Sequence, residues 1–375
     1  MNLDFSEEQQ QLRAELRRYL AASCPPAAVR KILDGTAPYD RGLWQGLAEL
    51  GYVGVAIAEG SGGSGAGYLE LCVVAEELGR VLAPVPFSSS IYLASEFLKI
   101  AGSPSQQAQF LPKLASGECI GTFAYAEGPG EPAPGSLAVV AGNGRLNGTK
   151  LPVPDGGVAD LAVVAARDAG AGGLGLYLVD LHDSAVSRRP LTTIDPTRGH
   201  DELTFKNAPC QPLGAAGQGS AILSRVLDGA AVLTAFEQLG GAERALEMAC
   251  GYARERRSFG RPIGSNQAIK HMLADMYVSA TLARSNAYFG AWALASAASA
   301  LPEAAATARL SATQAFQHCA RNNIQVHGGS GFTWAVDCHL YYRRSNLLAL
   351  SLGGIAAWEE QLIGELERRR TRQAG

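Results

Sequence analysis

The chain of 375 residues is long enough for two or three domains, because a single domain usually takes about 100–200 residues. Apolar residues make up 47% and charged residues 18% of the sequence, which excludes intrinsic disorder and a small disulfide scaffold. The formal net charge of −3, with one short basic run at 368–370, argues against a nucleic-acid partner.

The sequence also predicts no export signal, membrane span or metal site. Its first residues are acidic and lack the basic and apolar regions of a signal peptide. The alanine-rich stretch 288–308 contains serines and Pro302, so we interpret it as a packed helix that does not cross a membrane. Seven cysteines occur without a C-x-x-C pair, which favours reduced thiols over zinc or disulfides. We therefore expect a cytoplasmic protein.

The first two parts of the chain differ in their hydrophobic periodicity. Residues 1–116 carry apolar side chains at helical spacing, which predicts an N-terminal helical domain. The helices are expected at 3–20, 39–50, 69–82, 91–100 and 105–114. Residues 117–216 contain short β-like runs between Gly, Pro, Asn and Asp turns, which predicts a β-rich middle domain. The strands are expected at 137–140, 161–165, 174–179 and 203–205.

Long helical patterns return in the third part, residues 217–375. They are expected at 220–257, 266–299, 302–327 and 337–368. Four long helices joined by short loops predict an antiparallel bundle. Helical and β segments that are separated along the chain place the protein in the α+β class.

Several common motifs are absent from this sequence. The glycine-rich segment 59–67 does not match a P-loop, no G-x-G-x-x-G follows a predicted strand, and there is no G-x-S-x-G elbow. His271, His318 and His327 lie on predicted helices without metal-ligand spacing, so packing or hydrogen bonding is the favoured interpretation.

Two segments near the C-terminus carry a recognisable binding chemistry. They are YARERRSFGRPI at 252–263 and QVHGGSGFTW at 325–334. The guanidinium of Arg256 offers paired donors suited to a phosphate, and Phe259 offers a flat face for a nucleobase. The Gly328-Gly329 turn after a helix would let the backbone come close to a diphosphate.

Both segments, and their spacing along the chain, resemble the acyl-CoA dehydrogenase family. The resemblance implies the fold of that family, with a β-barrel-like middle domain and a C-terminal four-helix bundle, and it implies FAD as the cofactor. In the family these segments hold the adenosine diphosphate half of FAD across a subunit interface. The matching residues of this chain are Arg256, Phe259, Gln267, Gln325, Val326, Gly328 and Gly329.

The resemblance also shows that the usual catalytic base is missing. The family reaction removes an α proton from an acyl-CoA thioester with a carboxylate and passes the β hydride to the flavin. One family position for the glutamate, nine residues beyond Arg343, is Leu352, and the other is Ala230. Asp228 lies about 200° away from Ala230 on a helix, and the acids at 359–360 lie about 10 Å beyond Leu352, so neither is expected to substitute.

Other family positions in this chain are changed as well. The segment that usually reads Thr-Glu-Pro is Ala126-Glu127-Gly128, and the Trp-Ile-Ser/Thr beside the flavin is Leu151-Pro152-Val153. An arginine that helps to hold CoA is replaced by Ala231. We therefore expect weak flavin contacts and no acyl-CoA site in the chain's own pocket.

This selective loss predicts the non-catalytic partner in an α2β2 heterotetramer, similar to the base-less chain of dehydrogenases for bulky, steroid-type acyl-CoA substrates. The expected partners are an acyl-CoA substrate, a second acyl-CoA dehydrogenase subunit and an electron acceptor like electron-transfer flavoprotein. Two alternatives stay open. One is a self-sufficient homo-oligomer with a relocated base, for which Asp228 and Glu127 are candidates, and the other is a flavin-free binding or scaffold protein on the same fold.

Overall fold

The structure is a computed structural model that describes residues 5–130, 132, 134–170 and 172–374. Its α-helices in the first part of the chain are α1 (Glu7–Ser23), α2 (Pro26–Leu33), α3 (Arg41–Glu49), α4 (Tyr68–Arg80), α5 (Ser95–Ala101) and α6 (Pro104–Ala115). Those in the last part are α7 (Gly219–Glu255), α8 (Gln267–Ala295), α9 (Leu301–His327), α10 (Cys338–Leu350) and α11 (Ile355–Ala374). Helical, β and helical segments thus follow in the predicted order.

Local sequence signals explain where the N-terminal helices begin. Ser6 caps α1 through a capping box, in which its hydroxyl accepts from the Gln9 amide and the Gln9 side chain accepts from the Ser6 amide. Residues 3–4 of the predicted first helix lie outside the described residues. Helix α2 was not predicted, and a π-helical turn at Ser88–Ala94 precedes α5 where one continuous helix was expected.

The middle of the chain forms one mixed β-sheet. Its strands are β1 (Gly121–Ala124), β2 (Val140–Gly142), β3 (Arg145–Pro154), β4 (Leu161–Asp168), β5 (Leu174–Asp180), β6 (Val186–Pro190), β7 (His200–Pro209) and β8 (Gln211–Pro212). The order is β6-β7-β3-β2-β4-β5-β8, with β1 also paired to β4. Strand β4 is parallel to β1 and β2, whereas the other pairs are antiparallel, and register shifts in the β3–β7 pair bend the sheet.

The chain divides into two compact units, each built from segments that are separated in the sequence. The first contains Met1–Arg30, Tyr68–Ala83 and Ala231–Gly375, and the second contains Lys31–Gly67 and Pro84–Ala230. In the first unit α4 packs on α1 and α8, while α9 packs on α8, α10 and α11. The second unit contains the sheet with α5 and α6. The predicted boundaries at 116 and 216 are not tested by this division and stay predictions.

The helix predicted at 337–368 is interrupted, and α10 and α11 are separate helices. Leu352 and Gly353 have φ values of 61° and 99°, which an α-helix cannot accommodate. The guanidinium of buried Arg309 donates to the carbonyl oxygens of Leu348 and Ser351 at the end of α10. The Trp358 indole donates to Leu352 O at 3.1 Å. Buried donors therefore stabilise the break.

Among the described residues, α7 is the one helix that is long and apolar enough to cross a membrane by length and composition alone. Its most apolar window is 72% buried within the protein. A core helix passes the same test, so this finding is weak evidence for a membrane span.

Candidate functional site

A short hairpin follows α7 and carries Phe259, one of the predicted contact residues. Its strands β9 (Arg257–Ser258) and β10 (Arg261–Pro262) pair antiparallel. The two turn residues, Phe259 and Gly260, both have positive φ, at 52° and 80°, as in a type I′ turn. The Phe259 side chain is 101% exposed. An apolar ring held in a strained conformation and turned to solvent is a candidate contact for a ligand or a partner.

Arg256 lies between the end of α7 and this hairpin, and its backbone is fixed on both sides. Its amide donates to Tyr252 O at 2.8 Å, and its carbonyl oxygen accepts from the Ile263 amide at 2.8 Å. The guanidinium is exposed and has no ion pair or side-chain hydrogen bond within the part of the chain that the structure describes. A rigid backbone with free donors fits the recognition of a phosphate.

Gln267 is the first residue of α8, and the hairpin is connected to the same point. Arg261 of β10 donates to the side-chain oxygen of Asn266 at 3.0 Å, and Asn266 is the residue before α8. The Gln267 side chain is exposed. The structure thus places the first turn of α8, which carries Gln267, directly after the hairpin.

The second predicted segment, residues 325–334, contains the last residues of α9 and the turn that follows it. Gly328 has φ 60° and ψ −139°, and an added Cβ at Gly328 or Gly329 would meet nothing within 4 Å. Both glycines therefore leave the backbone open to a ligand. Gln325 is exposed, whereas Val326 is 3% exposed and packs inward, so the Val326 side chain is not available for contact.

The two segments are joined by Tyr252 of α7. Its ring stacks on the ring of His327, with centroids 4.1 Å apart and planes at 24°. The Tyr252 hydroxyl lies 3.3 Å from Ser330 Oγ in the turn after α9. Sequence reasoning missed both contacts, although Tyr252 lies one helical turn before Arg256, on the same side of α7. Hairpin, turn and start of α8 therefore form one surface, which we call the Arg256 surface.

Neither position for the family's base carries an ionisable group. Ala230 is fully buried, and Leu352 lies in the break between α10 and α11. Glu359 and Glu360 are exposed on α11, as expected from their spacing. Asp228 is 4% exposed and already has an interaction partner. Among the described residues, no group of three His, Cys, Asp or Glu side chains could hold a metal ion.

Glu127, the other candidate for a relocated base, is held in a structural ion pair. Its carboxylate accepts from Lys150 Nζ at 2.7 Å and from the amides of Ala138 and Val139 at 2.6 and 3.1 Å. Burial would raise the pKa of Glu127, but these donors outweigh it and lower the pKa. Burial lowers the pKa of Lys150, and Glu127 counteracts this. A carboxylate with a lowered pKa that already accepts three hydrogen bonds is a poor proton acceptor.

Comparison with known proteins agrees with the fold. Residues 6–118 match the acyl-CoA dehydrogenase N-terminal domain, and residues 217–357 match the acyl-CoA dehydrogenase C-terminal domain. The chain therefore belongs to the acyl-CoA dehydrogenase family of oxidoreductases, whose members are FAD-dependent flavoproteins. The family, the fold and the cofactor predicted from the sequence are confirmed.

Individual relatives include chains from heteromeric complexes. The chain is 36% identical over 344 residues to the acyl-CoA dehydrogenase IpdE2 of Mycobacterium tuberculosis, with 91% of each chain covered. The ChsE4–ChsE5 complex from Mycobacterium tuberculosis contains a chain that superposes with a TM-score of 0.88 at 31% identity, covering 98% of this chain and 99% of that one. A variant of the Tcur3481–Tcur3483 steroid ACAD gives the same TM-score, identity and coverage.

Proposed function

We propose that this chain is the non-catalytic partner in an α2β2 acyl-CoA dehydrogenase, and that it contributes the Arg256 surface to FAD bound mainly by a neighbouring catalytic subunit. The observation that carries the proposal is a contrast within one chain. Among the described residues, the Arg256 guanidinium has no ion pair or side-chain hydrogen bond, Phe259 is exposed, and a Cβ added at Gly328 or Gly329 would meet nothing within 4 Å. Both positions for the base are apolar, and Glu127 is paired with Lys150.

The residues of the Arg256 surface fit the adenosine diphosphate half of FAD. The Arg256 guanidinium would bind a phosphate oxygen, and Phe259 would pack against the adenine ring. The backbone of Gly328 and Gly329 would lie along the diphosphate, where a side chain would keep a ligand away. FAD, when bound, supplies the hydride acceptor, while the proton would be removed by the partner subunit. The residues of this chain would bind and orient the adenosine diphosphate half of FAD.

The character of the substrate and of the acceptor is also part of the proposal. Two similar structures are described as a ChsE4–ChsE5 complex and as a steroid ACAD, which supports a two-chain enzyme for bulky acyl-CoA thioesters. Such a dehydrogenase would act in the cytoplasm in lipid or steroid breakdown and pass its electrons to an acceptor like electron-transfer flavoprotein.

A test of the proposal compares the chain alone with the chain co-expressed with a second acyl-CoA dehydrogenase subunit from the same organism. We expect a colourless protein in the first case and, in the second, a heterotetramer with one flavin per pair, measured by absorbance and native mass. A chain that by itself binds stoichiometric FAD and oxidises an acyl-CoA would refute the proposal and support the self-sufficient alternative.

A pair of arginine variants tests the surface itself. Arg256→Ala should weaken FAD binding by the heterotetramer about 10- to 100-fold, because a hydrogen bond to a charged group contributes about 1.5–3 kcal/mol. Arg254→Ala is the matched control, because Arg254 is also exposed near the end of α7 and has no bonded partner among the described side chains. If Arg256→Ala and Arg254→Ala both bind FAD as tightly as the original heterotetramer, measured by flavin titration, the role of Arg256 is contradicted and the scaffold alternative is favoured.

A further inference from the structure

The two halves of the Arg256 surface come from segments that are far apart in the sequence. Arg256 and Phe259 follow α7, whereas Gly328 and Gly329 follow α9. A ligand that touches both halves binds well only if their separation is fixed beforehand, since ordering them on binding would cost affinity. The side chains that join the halves are therefore candidates for a positioning role.

Tyr252 is connected to both halves by defined contacts. On one side its carbonyl oxygen accepts from the Arg256 amide at 2.8 Å, one helical turn further on. On the other side its ring stacks on His327, the last residue of α9. A displacement of the Tyr252 ring would therefore change the distance between Arg256 and Gly328.

The hydrogen bonds around Ser330 assign the direction of the third contact. Ser330 Oγ lies 2.7 Å from His327 O, and a carbonyl oxygen only accepts, so the Ser330 proton points there. Tyr252 must then donate its hydroxyl proton to Ser330 Oγ across 3.3 Å. This bond holds the turn that carries Gly328 and Gly329 in place.

His327 is itself fixed, so the stack has a rigid partner. His327 is 8% exposed, and its Nδ1 donates to Asn323 O at 2.8 Å. Gly331 adds to this rigidity, because a Cβ there would lie 2.5 Å from Ile324 O. The turn is therefore packed so closely against α9 that a side chain at position 331 would not fit without a shift of the backbone.

We propose that Tyr252 is a positioning residue, which sets the separation of Arg256 from the Gly328-Gly329 turn and so preorganises the surface for the adenosine diphosphate half of FAD. This inference rests on the proposed function, since it assumes that the Arg256 surface binds FAD. Tyr252 acts through the backbone of its neighbours and through His327 and Ser330.

The test uses the assembled heterotetramer and compares its affinity for FAD with that for FMN, which lacks the adenosine monophosphate part. Tyr252→Leu removes both the stack on His327 and the hydroxyl that donates to Ser330, and it should lower FAD affinity about 10-fold. Tyr252→Phe keeps the stack and should lower it about 3-fold. FMN affinity should stay unchanged for Tyr252→Phe, so that the ratio of FAD to FMN affinity falls, which a merely structural role does not predict.

Two control variants make the outcome decisive. Tyr177→Phe removes a hydroxyl that donates to Asp168 at 2.9 Å in the β-sheet, and it should leave the FAD to FMN ratio unchanged. Ser330→Ala should lower the ratio of FAD to FMN affinity as much as Tyr252→Phe does. These two variants provide the test if Tyr252→Leu does not fold. An unchanged FAD to FMN ratio in Tyr252→Phe and Ser330→Ala, with Arg256→Ala still weakened, overturns the positioning role alone. An unchanged ratio in Arg256→Ala overturns the proposed function as well.

Discussion

Helices α4 and α7 cross so closely that a single added methyl group should measurably destabilise the protein. A Cβ added at Gly79 of α4 would lie 1.9 Å from Glu237 O of α7. Reciprocally, a Cβ added at Gly240 of α7 would lie 1.9 Å from Glu76 O of α4. We therefore predict that Gly79→Ala and Gly240→Ala each lower the free energy of unfolding.

The magnitude follows from this geometry. Ordinary contact begins at 3.4 Å, so each methyl would be about 1.5 Å too close to a backbone oxygen that cannot rotate away. Overpacking costs about 1–3 kcal/mol, and the close backbone contact places these sites at the upper end. Alanine regains about 1 kcal/mol of helix propensity, which leaves a net loss of about 2 kcal/mol.

Separation of the two helices would also disturb ion pairs at the crossing. Glu76 accepts from Arg13 at 2.9 Å and from Arg284 at 2.8 Å, and its side chain is 2% exposed. A buried carboxylate that loses a partner is costly because its charge stays out of water. This effect acts in the same direction as the steric one.

Urea denaturation followed by circular dichroism measures the change. Gly251→Ala is the matched control, because Gly251 also lies in α7 and an added Cβ there meets nothing within 4 Å. We expect Gly251→Ala to stabilise the protein by up to about 1 kcal/mol. Gly79→Ala or Gly240→Ala with a stability equal to that of the original chain would refute the close crossing of α4 and α7.

Two further predictions concern the ion pair of the sheet and the hairpin. Glu127→Gln should lower the free energy of unfolding by about 3 kcal/mol at pH 7, because Lys150, which is fully buried, loses its counter-charge. The pKa of Glu127 is lower in the folded chain, so its contribution is present above the unfolded pKa and is lost as the pH falls through the folded one. The difference between this variant and the original chain, measured in urea, should therefore shrink below about pH 4, and a constant difference would contradict the ion pair. Phe259→Asn relieves the positive φ of 52° and should stabilise the chain by about 1 kcal/mol, yet weaken FAD binding by the heterotetramer. A variant that neither gains stability nor loses affinity would show that Phe259 is an incidental surface residue.

The sequence by itself determined the order of the domains and the chemistry of the candidate site. Helical and β periodicities are local, so α7, α8 and α9 were predicted to within a few residues of their observed ends. The candidates for the FAD contacts could be found because Arg256, Phe259 and the Gly328-Gly329 turn lie within short segments. The absence of a carboxylate at Ala230 and Leu352 likewise follows directly from the residues.

Tertiary structure decided the features that depend on residues far apart in the chain. The break after α10 is stabilised by Arg309 of α9, which donates to the carbonyl oxygens of Leu348 and Ser351, and no local signal predicts these bonds from another helix. Val326 and Gln325 are neighbours in one segment, yet packing turns the first inward and leaves the second exposed. Tyr252 and His327, whose rings stack, are 75 positions apart in the sequence, and Tyr252 and Ser330 are 78 positions apart. Side-chain packing between α7 and α9, which a one-dimensional pattern does not contain, thus determines whether the two candidate segments form one surface.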